Sequence, residues 1–70
     1  MIKRKVENKQ TYIPIGEFVK YELGGEIRKG RVVEVTNRGR YYVYDIEDVI
    51  TYYVHKNISR KKIKYNGEEI

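Results

Sequence analysis

The feature that most constrains the fold of this chain is a succession of short segments rich in β-branched and aromatic residues, separated by turn residues. In the first segment, residues 17–23, Val19, Tyr21 and Leu23 alternate with charged residues, as in a half-buried β-strand. Gly24-Gly25 follows as a turn. Residues 27–36 form the second predicted strand, with Gly30 at a bend or bulge. No stretch repeats apolar residues at helical spacing for long, so the sequence predicts an all-β domain.

Three more strands are predicted over residues 40–46, 50–56 and 62–65. Asn37-Arg38-Gly39 is the predicted hairpin loop between the second and third strands, with glycine where φ is positive. Glu47-Asp48 is the next predicted turn, and Asn57-Ile58-Ser59 is predicted as a short helical turn before the last strand.

Asn66-Gly67 is a strong two-residue hairpin signal and predicts a C-terminal hairpin. That turn would place Lys64 opposite Glu69 and Ile63 opposite Ile70. One cross-strand pair would then carry opposite charges and the other would be apolar.

Together, the turns between the second, third and fourth strands predict which side chains share a face of the sheet. The more apolar face is the predicted core: Val33, Val35, Tyr41, Val43, Ile50, Tyr52 and Val54. The other face is predicted to point outward: Val32, Glu34, Tyr42, Tyr44, Thr51, Tyr53 and His55.

The order of these signals resembles that of the SH3-like small β-barrels, the group that includes Tudor and KOW-type domains. The resemblance is carried by residues 15–21, 29–35, 42–46 and 52–54, and Asn57-Ile58-Ser59 lies where such barrels have a short 3₁₀ turn before the last strand. It implies a five-stranded antiparallel SH3-like barrel, and the predicted domain spans residues 12–70. Residues 1–11 are polar and lack a clear period, which predicts a flexible basic arm. Members of this superfamily bind RNA, DNA, proteins and modified peptides, so the fold alone does not select a ligand.

Composition restricts the functional classes. The chain has 70 residues and no cysteine, which excludes disulfides and thiolate metal sites and predicts one small domain. No apolar run reaches membrane-spanning length and no signal peptide is evident, so a cytoplasmic location is expected. The abundance of Lys, Ile, Tyr and Asn indicates an AT-rich genome, such as that of a low-GC bacterium or its phage.

Catalytic chemistry has little material in this sequence. Ser59 and His55 lie four residues apart with no third residue to orient them, and a nucleophile needs both a base and an orienting group. Asp45, Glu47 and Asp48 form an acidic cluster without the spacing of a calcium loop, which favours a solvated turn. The sequence therefore predicts a protein that is not an enzyme and binds no cofactor or metal.

Basic residues concentrate near both ends of a near-neutral body, and the formal net charge is +5. Residues 56–64 carry five basic residues and no acidic residue. Such a stripe can follow a phosphate backbone, or it can be a charged edge strand that prevents aggregation. Likewise, an outward tyrosine face can stack with bases or can simply shield the sheet.

Two functions follow from these patterns. The first is a nucleic-acid-binding module, for which the candidate residues are Lys3, Arg4, Lys5, Arg38, Arg40, Tyr42, Tyr44, Tyr53, Lys56, Arg60, Lys62 and Lys64. The second is a protein-interaction module, such as a phage or bacterial accessory factor that docks on a larger host protein. No membrane partner is expected.

Overall fold

The computed structural model describes residues 12–66, which form a single antiparallel sheet. Its elements are β1 (Phe18–Leu23), β2 (Glu26–Asn37), β3 (Tyr42–Asp48), β4 (Val54–Ser59), a 3₁₀ turn (Arg60–Lys62) and β5 (Ile63–Lys64). The strand order is β4-β3-β2-β1-β5. The predicted all-β fold with five antiparallel strands is confirmed, but β4 and β5 remain as the two edges, so the sheet is not closed into a barrel.

The first hairpin forms as the sequence predicts. Val19 and Tyr21 are buried while the residues between and beside them are exposed, which is the alternation of a strand with one face on the core. Gly24 and Gly25 make the turn at φ values of +58° and +83°, which favour glycine. This two-residue turn places Leu23 opposite Glu26 and fixes the whole β1–β2 register.

The second hairpin differs from its prediction. Asn37 already pairs with Tyr42, and the backbone N–H of Arg38 donates to the carbonyl of Tyr41 at 2.8 Å. Thr36 therefore faces Val43 instead of Arg40. Because the register beside the loop is shifted by an odd number of residues, Tyr44 lies in the core and not on the predicted outward face.

The third hairpin also begins later than the sequence suggests. Glu47 and Asp48 are the last residues of β3 rather than a turn, and the chain reverses over residues 49–51. As a result, β4 starts at Val54. The predicted helical turn over residues 57–59 is the end of β4, and the 3₁₀ turn follows at Arg60–Lys62.

The core consequently differs from the predicted set. Of the predicted members, only Val43 is buried, whereas Tyr41, Ile50 and Tyr52 are exposed and the other three are half-buried. The buried cluster comprises Ile13, Val19, Tyr21, Val32, Tyr44, Ile46, Ile58 and Ile63. It therefore draws on all five strands and on the segment that precedes β1.

Several predictions concern residues outside the described range 12–66. The basic arm over residues 1–11, including Lys3, Arg4 and Lys5, and the hairpin partners Gly67, Glu69 and Ile70 are outside the described residues. Between residues 12 and 66, no helix has the length and apolar character needed to cross a membrane.

Candidate nucleic-acid interface

Three lysines lie side by side across the strands β5, β1 and β2. Lys20 of β1 is the direct register partner of Lys29 on one side and of Lys64 on the other. Directly opposed residues point to the same face, so Lys64, Lys20 and Lys29 form a row, hereafter the lysine row. Neighbouring strands are about 4.8 Å apart, so the backbone positions of the row span about 10 Å.

Within residues 12–66, the lysine row lacks the ion pairs that the arginines of β2 form. No carboxylate of residues 12–66 forms an ion pair with any of the three lysines. By contrast, Arg28 pairs with Glu26 and Asp48, and Arg31 pairs with Glu47. Like charges that face each other directly destabilise a sheet, so this arrangement favours an external anion.

The rest of this face, hereafter the outer face, surrounds the row with other exposed side chains. Phe18 lies opposite Arg31 at one end of β1, and Glu22 lies opposite Ile27 at the other. Near Lys64, the 3₁₀ turn contributes exposed Lys61 and Lys62. Together with Tyr21, Glu22, Ile27 and Lys64, these two lysines line a small cavity of about 150 Å³.

On the inner face, a buried carboxylate holds β1 and β2 together directly beside the row. Asp48 is 1% exposed, and its Oδ2 accepts hydrogen bonds from the Tyr21 hydroxyl at 3.0 Å and from Arg28 Nη1 at 3.1 Å. Tyr21 and Arg28 are themselves register partners, and each is the chain neighbour of a lysine in the row. Asp48 therefore fixes the backbone that spaces Lys20 and Lys29.

The same carboxylate also fixes the β3–β4 turn. Its Oδ1 accepts the backbone N–H groups of Ile50 at 2.8 Å and Thr51 at 3.0 Å. These backbone hydrogen bonds, with those from Arg28 and Tyr21, lower the pKa of Asp48 below its ordinary range. Burial, followed by the hydrogen bond to Asp48, raises the pKa of Tyr21 to about 12.

The sequence-predicted basic stripe is only partly retained. Alternation would put Arg60, Lys62 and Lys64 on one face, but residues 60–62 form the 3₁₀ turn, where alternation does not apply. Arg60 is buried and its Nη1 donates to the carbonyl of Ile63 at 2.9 Å, so it supports the turn. Lys62 stays exposed beside the row, and Lys64 belongs to the row.

The three predicted surface tyrosines do not form one patch. Tyr44 is 1% exposed, and its hydroxyl accepts the backbone N–H of Ile13, so it belongs to the core. Tyr42 begins β3 and packs edge-on against Tyr12, with ring centroids 5.1 Å apart. Tyr53 lies at the other end of β3, where its carbonyl accepts the N–H of Asp48. Six residues of strand separate the two sites, about 20 Å.

The remaining predicted cations lie on the β2–β3 loop and on β4. Arg38 and Arg40 are in the exposed β2–β3 loop, and the guanidinium of Arg38 donates to the side chain of Asn57 at 3.3 Å. Lys56 is exposed on β4. These three residues, hereafter the separate basic area, lie on other elements than the lysine row, which is on β5, β1 and β2.

Other candidate groups are engaged in structural contacts. Asp45 accepts the N–H of Asn57 at 2.9 Å, and Glu47 pairs with Arg31, so the acidic cluster is a set of strand side chains and not a solvated turn. His55 lies between the rings of Tyr53 and Tyr21, at 4.8 Å and 5.8 Å between centroids. Ser59 is at the other end of β4 and faces Val43.

Sequence reasoning missed four outer-face residues: Phe18, Lys20, Lys29 and Arg31. A usable signal was present, because the two-residue turn at Gly24-Gly25 by itself places Lys20 opposite Lys29 and Phe18 opposite Arg31. The contact with Lys64 had no local signal, since it depends on a strand distant in sequence.

Comparisons of this chain with models of known protein families, with curated proteins and with solved structures found no match. The functional argument therefore rests on the geometry of the sheet.

Proposed function

We propose that this protein is a non-enzymatic nucleic-acid-binding module that holds the sugar-phosphate backbone on its outer face. The observation that carries the proposal is the lysine row, in which three directly opposed cations have no ion-pair partner among residues 12–66. A nucleic acid supplies regularly spaced phosphates, and their neutralisation by lysine releases counterions.

The energetics of the free protein support this proposal. Each directly opposed pair of like charges costs a few tenths of a kcal/mol to about 1 kcal/mol, and the row contains two such pairs. The cost is removed when a phosphate lies between the ammonium groups. Lys61 and Lys62, exposed on the adjacent 3₁₀ turn, extend the positive surface beyond the row.

We also propose a relationship to the SH3-like small barrels. Five antiparallel strands and a 3₁₀ turn directly before the last strand support it, as does the position of β1 between β2 and β5. The function proposed above does not depend on this relationship.

The binding proposal is tested by fluorescence anisotropy with a labelled oligonucleotide at several salt concentrations. Replacing Lys20, Lys29 and Lys64 together by glutamine should weaken binding at low salt at least tenfold. The slope of log affinity against log salt should fall by about 2–3, because each lost phosphate contact removes about 0.7–0.9.

The chain offers a matched control with the same change in net charge. Arg38, Arg40 and Lys56 belong to the separate basic area, so their triple glutamine variant should bind nearly as the parent does. If the parent protein does not bind at low salt, or if the control variant loses as much affinity as the row variant, the assignment of the row is wrong.

A protein-interaction function is the second candidate, and the β3–β4 turn favours it. Ile50, Tyr52 and Tyr53 are 80%, 73% and 64% exposed on a turn that Asp48 holds in place, and these three residues form the turn tip. Exposed tyrosines on a rigid support are typical of the residues that dominate protein interfaces. The partner would offer an apolar pocket on a larger protein.

The two candidates are separable in one pull-down from a nuclease-treated lysate of a low-GC bacterium. A stoichiometric protein that is lost with Ile50→Ser/Tyr53→Ser and retained by the row variant would support docking through the turn tip. A protein retained by both variants, or none at all, would count against it.

A further inference from the structure

Phe18, at the start of β1, is an exposed aromatic residue on the same face as the lysine row. It is 67% exposed, and it shares the outer face with Lys20 because the buried Val19 lies between them. A single exposed apolar residue is common on protein surfaces. Phe18 is distinguished by its surroundings, because Lys20 flanks it along its own strand and Arg31 lies opposite it across the sheet.

The distances suit a nucleotide whose phosphate lies on the row. Two residues of strand separate Phe18 from Lys20, about 7 Å. Arg31 is the direct register partner of Phe18, so their Cβ atoms lie about 5 Å apart. Arg31 Nη2 donates to Glu47 Oε1 at 3.3 Å, which holds the planar guanidinium against β3 and leaves the ring of Phe18 uncovered on the solvent side.

We infer that the ligand of the outer face is single-stranded nucleic acid, with one base stacked on the ring of Phe18 while the lysine row holds the adjacent phosphates. This inference rests on the proposed function and specifies its substrate. In a duplex, each base face is already covered by its neighbours, so a ring that projects from a sheet cannot stack on it. In a single strand the base faces are free, and stacking on aromatic side chains is the usual mode of recognition.

The chain contains no tryptophan, which provides a direct test. Phe18→Trp introduces one selectively excitable fluorophore at the proposed stacking position. Its fluorescence should be quenched on addition of a 12-nucleotide oligo(dT) strand. A 12-base-pair duplex at the same salt should bind more weakly and quench little.

Anisotropy titrations with Phe18→Leu complete the test. This variant keeps an apolar side chain but lacks the ring, so its affinity for the single strand should fall about 5- to 150-fold, the range that stacking contributes. The salt slope should not change, because no phosphate contact is lost. Tyr41→Leu, which removes a ring that is 60% exposed on the β2–β3 loop, should bind as the parent does.

The results also distinguish this inference from the function on which it rests. Equal affinity for single strand and duplex, together with unchanged binding by Phe18→Leu, would overturn the single-strand inference and leave backbone binding intact. Absence of binding to both oligonucleotides would overturn both.

Discussion

Gly30→Ala adds one methyl group to a buried position. It should destabilise the domain more than adding a methyl group at any surface position would. Gly30 is a buried position of β2 opposite Asp48. A Cβ atom there would lie 2.5 Å from Ile46 Cγ2, 2.7 Å from the carbonyl oxygen of Glu47 and 3.0 Å from a ring carbon of Tyr21.

The size of this destabilisation depends on which of the three contacting atoms can move away from the new methyl group. Carbon atoms in contact are normally about 3.5–4.0 Å apart, so Ile46 must retreat by about 1 Å. Its branched side chain is stiff at χ1, and a carbonyl of β3 cannot retreat without stretching the β2–β3 ladder. Overpacking lowers the free energy of unfolding by about 1–3 kcal/mol. The lower conformational entropy of the unfolded alanine variant offsets about 0.4–1 kcal/mol of that loss. Because two of the three contacts are so short, we expect a net loss of about 2 kcal/mol.

Urea denaturation followed by circular dichroism measures this loss. In a domain of this size, 2 kcal/mol lowers the melting temperature by about 8–16 °C. Gly24→Ala is the control, because it makes the same chemical change where no atom lies within 4 Å and only the left-handed backbone at φ +58° resists it. Its cost should be about 1 kcal/mol. A Gly30→Ala variant within 0.5 kcal/mol of the parent would refute the reasoning.

Three further outcomes are expected. Tyr21→Phe should lower the free energy of unfolding by about 1–2 kcal/mol in urea titrations, because Asp48 loses a buried donor. The contribution of the Tyr21 hydroxyl is complete below pH 10 and is lost as the pH rises through its folded pKa of about 12, so the two proteins should converge in stability in strong alkali. The pKa of Asp48 is instead lowered on folding, so its contribution is complete above about pH 4 and is lost at lower pH, which acid titration of the melting temperature would show. Tyr52→Asn should raise the unfolding free energy by about 0.5–1 kcal/mol, since Tyr52 has φ +64° and asparagine tolerates that conformation better; an unchanged or lower melting temperature would contradict this.

The first hairpin was predictable because its information is local. The alternation around Val19 and Tyr21 identifies the buried face, and Gly24-Gly25 fixes the register without reference to the rest of the chain. The opposition of Lys20 and Lys29, half of the candidate site, follows from the same two facts.

The later hairpins were mispredicted because their registers are not set by simple alternation. The loop after β2 takes in one more residue than the predicted Asn37–Gly39 loop and starts one residue later, and the resulting shift moves Tyr44 from the predicted outward face into the core. The ladder then shifts again between Val32 and Glu34 and between Tyr44 and Ile46. The neighbours Val43 and Tyr44 are also both buried, which a strictly alternating pattern does not predict.

The pairing of β5 with β1 has a consequence for the order in which the domain assembles. Tyr21 and Ile63 are 42 residues apart, whereas the other three strand pairings join neighbours in sequence. Closing a loop of that length costs about 3 kcal/mol in chain entropy. Only two register pairs between β5 and β1 offset this cost. We therefore expect β5 to dock last in folding and to open first in amide hydrogen exchange. Since Lys64 belongs to β5, a local opening that leaves the other four strands folded would already break the lysine row. The affinity of the outer face would then depend on the population of docked β5 as well as on its charges.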